Sequence, residues 1–125
     1  MILKMDNKSK NFYGIMGKFF GSRIVENETN DRIYDDNKKE WYVYFDNNNP
    51  VAFVSIISGV IKNVYSIKDD FLIELLEHIS KETSIKDSIV TKTYKNAYTS
   101  SGLIINETDE YKNFIRIRSD VNNEK

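Results

Sequence analysis

Any chemistry done by this chain falls to carboxylates, hydroxyls, amines and one imidazole. None of the 125 residues is cysteine, which excludes disulfides, thiolate nucleophiles and cysteine-ligated metals. His78 is the one histidine. It lies between Glu77 and Ile79, where the spacing predicts a helix surface, so a solvated imidazole is expected. One histidine and scattered acids make a poor ligand set, and no metal site is expected. Glu26, Glu28, Asp31, Asp35 and Asp36 make the segment 26–40 acidic, and it is almost without apolar residues apart from Ile33 and Tyr34. That segment reads as a solvated connection with room for a short helix. Nucleophile triads, P-loops and dinucleotide fingerprints are absent. Aromatic residues are abundant: eight tyrosines, seven phenylalanines and one tryptophan. Tyr34, Trp41, Tyr42, Tyr44, Tyr65, Tyr94, Tyr98 and Tyr111 are too many to bury with every hydroxyl and indole donor satisfied. Some are expected on a surface used for protein contact.

The elements that position these groups belong to one domain, expected over residues 1–119, with a frayed tail at 120–125. A hydrophobic content of 40% is enough for a packed core. Eighteen basic and nineteen acidic residues leave a net charge of −1, so nucleic acid and anionic membranes are not indicated as partners, although a local basic patch is compatible with it. The N-terminal stretch turns polar too soon for a signal peptide, and the apolar run at 51–57 is far too short to span a bilayer. A cytoplasmic location is the default expectation.

Along the chain, Phe12, Ile15, Met16, Phe19 and Phe20 recur at helical spacing, with Ser9 as a candidate cap and Gly21 as the stop. Residues 41–45, 51–57 and 60–67 read as three strands. The turn residues between them, Asp46 to Pro50 and then Ser58-Gly59, imply an antiparallel meander. The middle strand is apolar on both faces and should be covered on both. Lys68-Asp69-Asp70 opens the clearest helix, whose buried stripe is Phe71, Leu72, Leu75, Leu76 and Ile79. Residues 85–93 read as a strand reached by a parallel crossover in the same sheet. A short helix at 94–101 ends at Gly102, and 103–106 and 112–118 form a terminal hairpin around a turn at 107–110. The fold class is therefore α/β in the broad sense, more strictly α+β.

This order of elements resembles that of the GNAT (acetyl-CoA-dependent N-acetyltransferase) superfamily over about residues 12–118. Three segments carry the resemblance. Trp41-Tyr42-Val43-Tyr44-Phe45, a turn, then Val51-Ala52-Phe53-Val54-Ser55-Ile56 is similar to the family's central hairpin, with Ala52 where glycine is usual. Phe71 to Ile79 is similar to the helix that follows the cofactor loop. Ala97-Tyr98-Thr99-Ser100-Ser101-Gly102-Leu103 resembles the family's Leu-Tyr-x-x-x-Gly-Phe ending, with Leu103 in place of phenylalanine.

The resemblance implies Tyr98 as the general acid that protonates a departing thiolate. It also implies that the backbone of Val64, Tyr65 and Ser66 would meet the cofactor's pantetheine arm where two parallel strands splay. One part of the pattern is missing. In place of an Arg/Gln-x-x-Gly-x-Gly/Ala turn, whose N–H groups hold a pyrophosphate, this chain has only Lys68-Asp69-Asp70. Two carboxylates stand where phosphate would sit, each such contact costing roughly 4 kcal/mol at about 4 Å and an effective dielectric of about 20. With that loop gone, Tyr65 or Tyr94 is placed to fill the cleft. The expectation is a degenerate, noncatalytic member that takes no cofactor and acts through a protein partner or as a homodimer, in the manner of a phage or mobile-element accessory protein. The alternative is an N-acetyltransferase that binds acetyl-CoA by an unusual route.

Overall fold

Two tight hairpins set the frame. The turns Asn47-Asn48 and Ser58-Gly59 each hold two successive residues at positive φ (50° and 67°, then 49° and 81°), the type I′ geometry whose twist suits a two-residue hairpin. The structure, a computed structural model, describes residues 1–36 and 38–119, of which 107–111 are described by backbone alone. The tail expected at 120–125 lies outside the described residues.

The turns join β2 (Glu40–Asp46), β3 (Asn49–Ile57) and β4 (Val60–Ser66) into the expected antiparallel meander. An unexpected strand, β1 (Ile2–Met5), pairs antiparallel with β2, giving a sheet in the order β1-β2-β3-β4. A second sheet has the order β5-β7-β6, from β5 (Ser88–Thr91), β6 (Leu103–Tyr111) and β7 (Phe114–Ser119). The turn expected at 107–110 is instead strand, and the hairpin closes between Tyr111 and Phe114. The fold is mixed α+β with antiparallel ladders.

Each face of the first sheet has its own core. Helix α3 (Asp69–Glu82) buries Leu72, Leu75, Leu76 and Ile79 as its period requires, against Ala52, Val54 and Ile56 of β3. Helix α4 (Lys95–Ser100) packs on the same side and carries that core onto Leu103, Ile115 and Ile117 of the second sheet. The opposite face of β3 meets an aromatic cluster of Phe12, Phe19, Trp41, Phe53 and Tyr65. The central strand is thus covered on both faces, as its unbroken apolar run demands.

The helix expected over 12–20 is shorter: α1 (Phe12–Met16) ends at Gly17, and turns deliver Phe19 to the core. The short helix for which the connection at 26–40 has room is α2 (Arg23–Thr29), which starts before it and is capped where the Ser22 hydroxyl accepts from the Val25 N–H at 3.3 Å. Its buried side chains are Val25 and Thr29.

The crossover expected within one sheet links two. The Lys86 N–H donates to the Gly59 carbonyl at 2.9 Å, and the Ser88 hydroxyl donates to the Ile61 carbonyl. Further on, Ser66 meets Tyr94. These pairs advance together along the chain, so β4 and β5 run in the same direction, yet no ladder joins them.

Gly59 stands at the start of this junction, where a Cβ would lie 2.9 Å from the Ser84 carbonyl oxygen. Replacing Gly59 with Ala combines positive-φ strain with that clash and is expected to cost about 1–3 kcal/mol, measured by urea denaturation. A variant as stable as the parent would contradict the packing described.

Candidate functional site

The space between β4 and β5 is where the sequence placed its candidate residues, and one tyrosine occupies it. Lys92–Tyr94 forms a 3-10 turn after β5, capped where the Thr91 hydroxyl accepts from the Thr93 N–H at 3.4 Å. The turn carries the Tyr94 ring into the core with its hydroxyl directed at β4. That hydroxyl accepts from the Ser66 N–H at 3.2 Å and donates to Glu28 Oε2 at 2.7 Å. Thr93 Oγ1 adds a bond to the Glu28 carbonyl at 2.9 Å, and Asn113 Nδ2 reaches Asn30 Oδ1 at 3.3 Å. Helix α2 is thereby tied to both sides of the gap. Burial pushes the Tyr94 hydroxyl far above the ordinary tyrosine range, and the Glu28 carboxylate it faces pushes the same way. What remains beside the gap, lined by Thr29, Val64, Val90 and Phe114 among others, is a cavity of about 20 Å³.

The four sequence-predicted site residues are not brought to one place. Val64 is buried in the α3-side core. Tyr65, its neighbour on an alternating strand, points to the other face, with ring centroids 5.6 Å from Phe19 and 5.8 Å from Phe53. The Ser66 N–H is taken by Tyr94, and its hydroxyl is held in a local turn with Lys68. Tyr98 is fully buried on α4, and its hydroxyl finds no hydrogen-bond partner among the described residues. Burial, with Tyr94 close by, pushes that hydroxyl well above its ordinary range. A phenol so sealed is poorly matched to proton transfer near neutral pH.

The junction before α3 is as short as the sequence implies, with Ile67 and Lys68 between β4 and Asp69. Lys68 is the N-cap and makes no side-chain cap bond. Asp69 and Asp70 are exposed, so water screens their repulsion well below the figure for a partly buried contact. The absence of glycine-turn donors is therefore the stronger obstacle to an anion here.

Two further features were not legible as chemistry. Glu28 lay in a stretch read as solvated, although Ser22 as a cap and Val25 and Thr29 four apart are a weak helix signal. Lys39, also in that stretch, is buried. Its ammonium donates to the Tyr34 carbonyl at 2.8 Å and to Asn63 Oδ1 at 2.7 Å, and lies 4.3 Å from the Tyr34 ring centroid. Asn63 donates in turn to Asp31 Oδ2 at 2.7 Å. Burial lowers the Lys39 pKa, partly offset by Asp36, Asp31 and Asp35. With two donors engaged and aromatic rings alongside, Lys39 anchors the segment after α2 to the sheet.

The aromatic surface expected from composition is smaller than proposed. Trp41, Tyr42, Tyr65, Tyr94 and Tyr98 are all buried, and Tyr34 is the one fully exposed member of that group whose side chain is described. The Trp41 indole donates to Asp35 at 3.3 Å and the Tyr42 hydroxyl to Glu82 at 3.3 Å. His78 is half-exposed on α3 and pairs with Glu82 at 2.8 Å. Among the described residues no group of three or more His, Asp or Glu side chains is placed to hold a metal. No helix among them is long and apolar enough to cross a membrane. No protein-family model matches this sequence, and a search of curated proteins finds no similar one.

Removing an unpartnered buried hydroxyl removes its desolvation cost. Tyr98→Phe should be neutral or stabilising by up to about 1 kcal/mol in urea denaturation. A clear loss of stability would mean that the hydroxyl is bonded. The buried tyrosines also set an alkaline limit. Unfolded tyrosine ionises near 10.0, whereas Tyr94 and Tyr98 hold their protons above that. Their contribution is full below pH 10 and is lost as pH rises from there toward the folded values, because the unfolded state then binds fewer protons. Lys39 acts in the opposite sense between its lowered value and 10.5, where the folded state binds fewer protons and stability rises. Unfolding free energy measured against pH should therefore fall above pH 10, with the tyrosinate absorbance of Tyr94 and Tyr98 appearing only on unfolding. Tyrosinate signal from all eight tyrosines in the folded protein would contradict this.

Proposed function

We propose that this chain is a noncatalytic, GNAT-like domain that acts by binding another protein. The resemblance in element order supports the scaffold part of the reading. So do β4 and β5, which run in the same direction without a ladder at the position where that fold would splay two strands.

The observation that carries the noncatalytic part is the Tyr94 hydroxyl on the Ser66 N–H. A pantetheine amide would need a backbone donor at this position, and the protein supplies its own acceptor instead. Tyr94 is held there by a hydrogen bond to Glu28 at 2.7 Å, so displacing it would break that contact and strand the buried Ser66 N–H. The glycine-free junction removes the anion donors at the adjoining helix end. Tyr98, the candidate acid, is closed off beneath α4.

Calorimetric titration with acetyl-CoA tests this directly. No heat is expected at millimolar cofactor. Micromolar binding that weakens sharply in Tyr65 or Tyr98 variants would establish the acetyltransferase alternative instead. Tyr94→Phe gives a second reading. It should destabilise by about 1–3 kcal/mol, because the buried Ser66 N–H loses its acceptor. If acetyl-CoA binds that variant and not the parent, Tyr94 is the plug.

A further inference from the structure

The second sheet is covered on one face only. Val90, Leu103, Ile115 and Ile117 face the α3 and α4 core, so the residues alternating with them form the opposite face, over which no helix of the described residues packs. On that face Ile89 is 52% exposed, Ile104 is half-buried and Arg118 is exposed. Two adjoining cavities lie along it, of about 490 and 340 Å³, both lined by Asp87 and Arg116. Lys86 and Arg118 complete the charged lining of the first, and Lys62 that of the second. Among the described residues the lining thus holds four cations and one acid, a balance of +3 on a chain whose net charge is −1.

We propose that this face is a docking surface for an acidic, aliphatic-bearing polypeptide segment. The proposal rests on the protein-binding reading above and names where the partner sits. Charge complementarity selects the acidic partner, since the local sign is opposite to that of the molecule as a whole. The exposed Ile89 and half-buried Ile104 between the cations add apolar floor, which a peptide can use and a phosphate backbone cannot. Arg116 is already held in a fork by Asp87, Nε lying 2.9 and 3.0 Å from the two carboxylate oxygens and Nη2 lying 2.6 Å from one of them. This pair orients the guanidinium and places an anion in the middle of the surface. A dense row of phosphates would meet that anion, whereas spaced carboxylates can engage the cations on either side of it.

The test is selection on the full chain from a displayed library of short random peptides, followed by fluorescence anisotropy with the enriched sequences. Enrichment of peptides in which Asp or Glu alternates with aliphatic residues is expected, with affinity falling as ionic strength rises. Lys86→Glu combined with Arg118→Glu should weaken binding by about tenfold or more, while Lys81→Glu on α3 should leave it unchanged. Both reversed positions are exposed, and circular dichroism checks that the fold survives. Lys62→Glu reads the second cavity independently should the double variant not fold. No enrichment, enrichment of basic or uncharged peptides, or indifference to charge reversal overturns the proposal. So does equal binding of a single-stranded oligonucleotide, or a self-association abolished by the same reversals. The acetyl-CoA titration separates the two claims. Tight cofactor binding defeats the noncatalytic reading whatever the peptides do, and a chain that binds neither loses the docking surface while its cleft stays closed.

Discussion

A hydroxyl group bridges the two sheets of this protein where their strands part. Tyr94 sits where β4 and β5 part, and parallel strands that part expose backbone donors within the fold. An unpaired buried N–H costs about 1–3 kcal/mol, so some acceptor has to be supplied. Tyr94 accepts from Ser66 and donates to Glu28, so one side chain serves a strand of the first sheet and a helix on its far face. The Ser88 hydroxyl does the same for the Ile61 carbonyl nearer the start of both strands. Side chains thus replace a ladder, and the gap closes without the strands pairing.

The two faces of the first sheet are packed by different means. On one side a long amphipathic helix supplies Leu72, Leu75, Leu76 and Ile79, which fill space as an aliphatic layer. On the other, α1 and α2 have five and seven residues, too short to supply such a layer, and aromatic rings do the covering. Phe19, Trp41, Phe53 and Tyr65 stack in tilted and edge-on arrangements with centroids 5.0 to 5.8 Å apart. This accounts for part of the aromatic abundance without invoking a binding surface. The cost of packing with Trp and Tyr is that their polar ends need partners. Asp35 serves Trp41 and Glu82 serves Tyr42. Acids in a segment that looked merely solvated are therefore part of the fold.

What the sequence disclosed follows from the range of the interactions involved. The meander, the stripe of α3 and the doubly covered β3 are written in local periodicity and turn residues, and they fold as they read. Strand β1 is four residues long, too short to show a period, and exists because β2 offers it a partner about forty positions away. Helix α2 buries only Val25 and Thr29 while Ile24 is exposed, so its apolar stripe is too narrow to stand out. The Tyr94 bridge is the least legible feature, because its partners lie 28 and 66 positions away. The sequence marked Tyr94 as a candidate to fill the cleft, but nothing local marked Glu28 as its second partner.

The obstacles to a bound acetyl-CoA have separate physical origins, and this bears on what kind of protein results. The junction before α3 lacks donors because it is short and has no glycine. The Ser66 N–H is unavailable because a neighbouring ring has grown into the gap. Tyr98 is out of reach because it lies on the buried side of α4. On the proposed reading, reversing any one of these leaves the other two in force. On that reading the interior is committed to packing, and recognition uses the outside of the molecule. Among the described residues no helix packs over the outer side of the second sheet, and the charges described there are locally the reverse of the molecule's own.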